Sequence, residues 1–128
     1  MKKLFLIILI VFIGCSDDDE QTLNSQLTGE WKWVESSGGI GGITETLEST
    51  GKEITLEFTS EIKKTFINSI LEYESAYYLE NGESITSTEK VDLIIYDNGV
   101  RQAIEINDGY LVLIDEYFDG YMHGYIKK

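Results

Sequence analysis

The sequence predicts an all-β domain, a small eight-stranded antiparallel up-and-down barrel spanning residues 28–128. Three observations carry this reading. From Leu27 onward the apolar residues repeat with a period near two, the mark of strands with one buried face. Asn-Gly or Asp-Gly pairs stand at 81–82, 98–99, 108–109 and 119–120, each between apolar runs; such pairs supply the positive φ values of tight hairpin turns. The chain has no proline and is rich in Tyr, Ile and Thr, side chains that suit a pleated, half-buried surface.

The strands are read in chain order. Residues 28–36 open the domain and carry Trp31 and Trp33 on one face. In 52–59, Ile54, Leu56 and Phe58 alternate with Glu53, Thr55, Glu57 and Thr59. Segment 61–69 is the weakest strand, because Ile62, Phe66, Ile67 and Ile70 also fit one or two helical turns. In 70–80, Leu71, Tyr73, Ser75, Tyr77 and Leu79 alternate with Glu72, Glu74, Ala76, Tyr78 and Glu80, which sends Glu72 and Glu74 to solvent. In 88–96, Val91, Leu93 and Ile95 share one face while Ile94 and Tyr96 fill the other, so this strand is expected to be covered on both sides. Strands at 101–106, 110–116 and 120–127 complete the set, with Gly99, Gly109 and Gly120 spaced 10 and then 11 residues apart in the rhythm of a meander.

Eight sequential antiparallel strands leave two long edges unless the sheet closes on itself. An open sandwich of two meander sheets is the competing architecture. The glycine-rich stretch from Ser36 to Gly42 opens a connection running to about Gly51. No Gly-Lys-Ser/Thr follows, so it is not a phosphate cradle. It reads as a flexible loop over one mouth, with a ligand-gating lid as the sharper alternative.

The residues before the domain have a different character. Met1-Lys2-Lys3 is a positive start, and Leu4 to Ile13 is an unbroken run of ten apolar residues. A helix of that length rises about 15 Å, roughly half the hydrocarbon thickness of a bilayer, so the run is an export signal and not a membrane span. It ends in Phe12-Ile13-Gly14-Cys15, which resembles the lipobox of bacterial lipoproteins, although Phe12 stands where that family usually has Leu. The resemblance implies removal of residues 1–14 and attachment of lipid to Cys15, with several acyl chains giving stable anchoring. Ser16-Asp17-Asp18-Asp19-Glu20 resembles the acidic tag that directs some lipoproteins to the outer face of the outer membrane. A plain solvated linker is the alternative, since like charges in a row repel and stay extended. Residues 15–27 then form a lipidated acidic tether.

The first predicted strand begins Leu27-Thr28-Gly29-Glu30-Trp31. This Gly-x-Trp resembles the signature that opens lipocalins, whose Trp plugs the closed end of an eight-stranded barrel. Taken with the glycine-rich first loop and the final strand around Tyr121 and Tyr125, it makes residues 27–128 similar to the lipocalin-like domains of bacterial lipoproteins. The Thr-Asp-Tyr motif of full lipocalins is missing, and no Arg closes the last strand. Lys127 stands in a position to cover Trp31 by cation–π contact. The resemblance implies a non-catalytic binding module for a small apolar or amphipathic ligand. Candidates to line its interior, or to fill it as core, are Trp31, Trp33, Phe58, Tyr73 and Tyr77. The alternative is an envelope protein with a filled barrel that presents acidic loops to a protein or glycan partner.

Composition narrows the chemistry. Removing residues 1–14 leaves 114 of the 128 residues, enough for one domain, and takes the net charge from −13 to −15 by loss of two lysines. A field of that sign repels nucleic acid. The single cysteine permits no internal disulfide and, once lipidated, is no nucleophile. His123 is the one imidazole, expected at the barrel rim in a structural role. No nucleophile elbow is present, and no cofactor or metal site is expected. Asp115, Glu116 and Asp119 flank a turn and read as turn chemistry in preference to a cation site. An enzyme is not expected.

Overall fold

The computed structural model describes residues 22–39, 41–85, 87–117 and 120–128. The export signal, Cys15, the acidic run Ser16 to Glu20, and Asp119 lie outside the described residues. Nine strands form one antiparallel sheet: β1 (Gly29–Gly38), β2 (Ile43–Thr46), β3 (Ile54–Phe58), β4 (Ile62–Ile67), β5 (Ile70–Gly82), β6 (Val91–Tyr96), β7 (Arg101–Asn107), β8 (Tyr110–Asp115) and β9 (Tyr121–Lys127). From β3 to β9 each strand pairs with the next. β1 pairs with both β3 and β9, which closes an eight-stranded barrel. Closure removes the sheet edges that an open meander would leave.

β1 is long enough to serve three neighbours. Along Trp31 to Gly38 one side pairs with β9; the other side pairs first with β3, over Gly29 to Lys32, and then with β2, over Glu35 to Gly38. The connection expected as a flexible loop is therefore ordered in large part. It contains β2 and a one-turn helix, α2 (Leu47–Thr50), held by a capping box in which Thr46 Oγ1 accepts from the Ser49 N–H and Ser49 Oγ accepts from the Thr46 N–H. The reciprocal bonds satisfy donors that a helix start would otherwise leave orphaned.

Three further corrections concern local structure. Asn81-Gly82 makes no turn: both residues extend β5, pairing with Asp92 and Val91. Of the Asn/Asp-Gly pairs, Asp108-Gly109 has the two positive φ values, 47° and 77°, of a type I′ hairpin; Asn98-Gly99 has only Gly99 in that region, at 89°. The hairpin between β4 and β5 uses Asn68 and Ser69, at φ 52° and 70°, with no glycine at all. Residues 22–27, assigned to the tether on sequence, begin the folded domain. Thr22 caps α1 (Leu23–Leu27), and Leu27 is fully buried.

The main core runs through the barrel: Leu27, Trp31, Trp33, Leu56, Phe58, Tyr77, Ile94, Tyr96, Ile104, Leu111, Leu113 and Tyr125. A second cluster of Leu93, Ile95 and Ala103 lies on the outer face of β6 and β7, with Val91 and Ile114 packed against it. β6 is thus covered on both sides, as its uninterrupted apolar run predicts. The β5–β6 connection is drawn back toward this face by the Glu116 carboxylate, whose side chain is 1% exposed. Glu116 accepts from the Ile85 N–H at 3.1 Å and from Ser84 Oγ at 2.6 Å, while Arg101 donates to the Glu83 carbonyl at 3.0 Å.

Candidate functional site at the open end

The two ends of the barrel differ in kind. At the closed end, α1 covers the opening and Trp31 fills the space beneath it. Trp31 is 1% exposed, its Nε1–H donates to the Leu27 carbonyl at 2.8 Å, and Lys127 Nζ stands 4.5 Å from the ring centroid. The Lys127 ammonium also donates to the Thr28 carbonyl at 2.7 Å and the Gln26 carbonyl at 3.3 Å. Gly29 makes this possible. Its φ is +127°, and a Cβ there would come within 2.8 Å of Lys127 Nζ. Phe58 and Tyr77 pack edge to face just above, with centroids 5.5 Å apart, and the Tyr77 hydroxyl donates to the Thr59 carbonyl. Trp31, Phe58 and Tyr77 are therefore core residues of the closed half. A surface hollow of about 520 Å³ beside Asn107, Asp108 and Lys127 meets a cation whose donors are already engaged.

The upper half is built differently. A cavity of about 300 Å³ is lined by Trp33, Ile54, Leu56, Ile67 and Tyr125 on its apolar side, with Ser36, Glu45, Thr50, Lys52, Lys63, Thr65, Tyr73 and His123 supplying polar and charged groups. Of the five residues singled out for the lining, Trp33 and Tyr73 are here. Trp33 is buried, whereas Tyr73 is 67% exposed, at the rim. A neighbouring groove of about 460 Å³ shares Lys63, Thr65 and Tyr73 with the cavity and continues over Glu72, Glu74, Tyr96, Asp97 and Val100.

A chain of hydrogen bonds crosses the upper end. Trp33 Nε1–H donates to Ser36 Oγ at 2.8 Å, Ser36 Oγ is 2.7 Å from His123 Nδ1, and His123 Nε2 is 3.2 Å from Asp115 Oδ1. Asp115 also accepts from Gln102 Nε2 at 2.8 Å, the Tyr117 hydroxyl at 3.1 Å and the Tyr121 N–H at 3.0 Å. An ionised carboxylate only accepts, so His123 Nε2 carries a proton. With a neutral imidazole, Nδ1 accepts the Ser36 hydroxyl proton and every bond runs one way from Trp33 to Asp115; with a charged imidazole, Nδ1 donates to Ser36 Oγ instead. Burial acts on the Asp115 carboxyl to raise its pKa. Hydrogen bonds from His123, Gln102 and the Tyr121 N–H, with the nearby His123 charge, outweigh it and hold the group far below the usual carboxylate range.

Sequence reasoning places His123 at the rim and Asp115 beside a turn, and Asp115 does end β8 just before that turn. What the sequence does not announce is that the two side chains face inward and touch, and that Ser36 joins them from 87 residues away. A register shift between Trp33 and Glu35 accounts for Ser36. In a regular strand the face of Trp31 and Trp33 would continue through Glu35; the bulge rotates Glu35 outward and brings Ser36 in. Glu116 turns the other way, to the outer face. Among the described residues no group of three or more His, Cys, Asp or Glu is arranged to hold a metal ion.

Hydroxyl, imidazole and carboxylate in line are the parts that nucleophilic catalysis uses. Here the Ser36 oxygen already accepts a hydrogen bond from Trp33, and the residue is 5% exposed. The arrangement orders the upper wall of a closed β-barrel whose lower half is solid and whose upper half is hollow. Comparison with protein-family models, with curated proteins and with solved structures finds no match to this chain.

Proposed function

We propose that this protein is a membrane-anchored lipoprotein whose lipocalin-like barrel is a non-catalytic binding module for a small apolar or amphipathic molecule. One observation carries the binding part: the open-end cavity, in which an apolar side of Trp33, Ile54, Leu56, Ile67 and Tyr125 faces a set of convergent polar and charged groups. Ligand sites pair those two elements, and at about 300 Å³ the cavity meets the lower end of their usual size range, roughly 300–1,000 Å³. Native mass spectrometry of the full chain carrying Cys15→Ser, recovered from its own host, is expected to show a bound small molecule that leaves on denaturation. A clean apo mass, or labelling of Ser36 by a fluorophosphonate probe, would overturn this reading.

The anchor rests on residues 1–20, where a short apolar run meets Gly14-Cys15 and the acidic segment follows. Among the described residues no helix is long and apolar enough to cross a membrane. Cys15→Ser is expected to abolish metabolic palmitate labelling and to shift the protein out of the membrane fraction. Unchanged labelling would refute lipidation at Cys15. Placement on the outer face of the outer membrane is part of the proposal and depends on Asp17 to Glu20.

A further inference from the structure

Lys63 stands where the cavity and the neighbouring groove meet, lining both. The alternation of β4 puts it on the same face as Thr65 and Ile67, inside the barrel wall. Its ammonium donates to the Tyr96 hydroxyl at 3.2 Å and lies 4.8 Å from the centre of that ring. No carboxylate among the described residues forms an ion pair with it. Asp115 acts on it only through space, its oxygens being committed to His123, Gln102, Tyr117 and Tyr121. An ammonium carries three donors, and Tyr96 takes one.

A half-buried cation without a paired anion is an unfavourable arrangement, because a charge withdrawn from water needs compensation. Burial lowers the Lys63 amine to about 8, so the group remains mostly protonated at neutral pH. The Tyr96 hydroxyl is turned toward Gln102 Oε1, to which it donates, and so presents its lone pairs to Lys63. The network thereby leaves the ammonium cationic and facing the hollows. Beside it the wall changes to Trp33, Ile54, Leu56 and Ile67, an apolar surface continuous with the main core.

We propose that the open end takes monoanionic amphiphiles, with the anionic head at Lys63 and the apolar tail against Trp33, Ile54, Leu56 and Ile67. This deepens the binding reading above and depends on it. The choice of an anion runs against the charge of the whole molecule, which is −13 over the chain. The long-range field slows an anion's approach, whereas the local cation decides which head group stays.

The test uses three probes with one tail and different heads: decanoate, decanol and decyltrimethylammonium. Each is titrated calorimetrically, below its micellar concentration, into the full chain carrying Cys15→Ser. Decanoate is expected to bind roughly ten-fold or more tightly than decanol, the range of a charge-assisted hydrogen bond, with the cation weakest. Lys63→Met should remove the preference for decanoate while leaving decanol affinity within about two-fold, and Lys63→Arg should keep the preference. Retained decanol binding reports that the Met variant is folded. Equal binding of decanoate and decanol to the parent, or a preference that survives Lys63→Met, overturns the anion site and leaves the binding module standing. No binding of any probe overturns both.

Discussion

Trp31→Ala is expected to be the most damaging single substitution in the barrel, costing about 4 kcal/mol and lowering the Tm by roughly 15–30 °C. Three losses add at one place. The substitution empties the largest fully buried side chain of the core, and large-to-small changes of aromatic residues cost about 3–5 kcal/mol through transfer and cavity terms. It removes the Nε1–H donor from the last carbonyl of α1 and strips Lys127 of the ring beneath it. Trp31→Phe separates the terms. It keeps most of the apolar volume but loses the hydrogen bond and weakens the cation contact, so about 1–2 kcal/mol is expected. Thermal unfolding followed by circular dichroism checks both, and a loss below about 1 kcal/mol for the Ala variant would mean that the closed end is not a packed plug.

The second large effect is expected at Asp115. Four donors converge on its carboxylate: His123, Gln102, Tyr117 and the backbone of Tyr121. Asp115→Asn replaces an acceptor oxygen by an NH₂ that faces those donors, and a loss of about 3 kcal/mol is expected, as for a broken buried charge network. The parent should also lose stability in acid. The folded carboxyl titrates well below its unfolded value of about 3.9, so the folded state binds its proton less readily. This contribution is complete above pH ~4 and is lost progressively as the pH falls toward the folded value. The Asn variant lacks it and should show a flatter stability profile below pH ~4. Urea unfolding from pH 7 to pH 2 measures both curves, and parallel curves would remove Asp115 from the acid response.

Much of the barrel is legible in the chain because most of its strands carry a period near two, which marks one buried face. The doubled burial of β6 is written in Val91 to Tyr96, and the Trp31–Lys127 stack in the place of Lys127 on the last strand, opposite the Gly-x-Trp of the first. What escapes is decided by backbone detail or by pairing across the sheet. Asn81-Gly82 has the composition of a turn, yet pairing with Val91 and Asp92 continues through it, and Asn68 and Ser69 make the turn that composition does not announce. Ser36 enters the network only because a bulge shifts the parity of β1. Asp115 and His123 face each other through the β8–β9 pairing, with a turn between them that disguises both. Lys63 had a signal in the alternation with Thr65 and Ile67, but a lysine between Ile62 and Lys64 reads as a solvent-facing position until the strand's inner face is known. No exact register of β4 follows from Ile62-Lys63-Lys64 alone.

The seam between β1 and β9 also governs how the chain reaches this shape. It joins Trp33 to Tyr125 and Ser36 to His123, so the first long strand waits for the last one. The pairings from β3 to β9 are all between sequence neighbours and can form as local hairpins, whereas the seam must close a loop of nearly the whole domain, an entropic cost paid late. A chain emerging from a translocation pore N-terminus first would therefore expose one side of β1 until β9 arrives. Both halves of the molecule, the Trp31 plug and the Ser36–His123 wall, are stitched across that same line, so completing the fold and completing the cavity are one event.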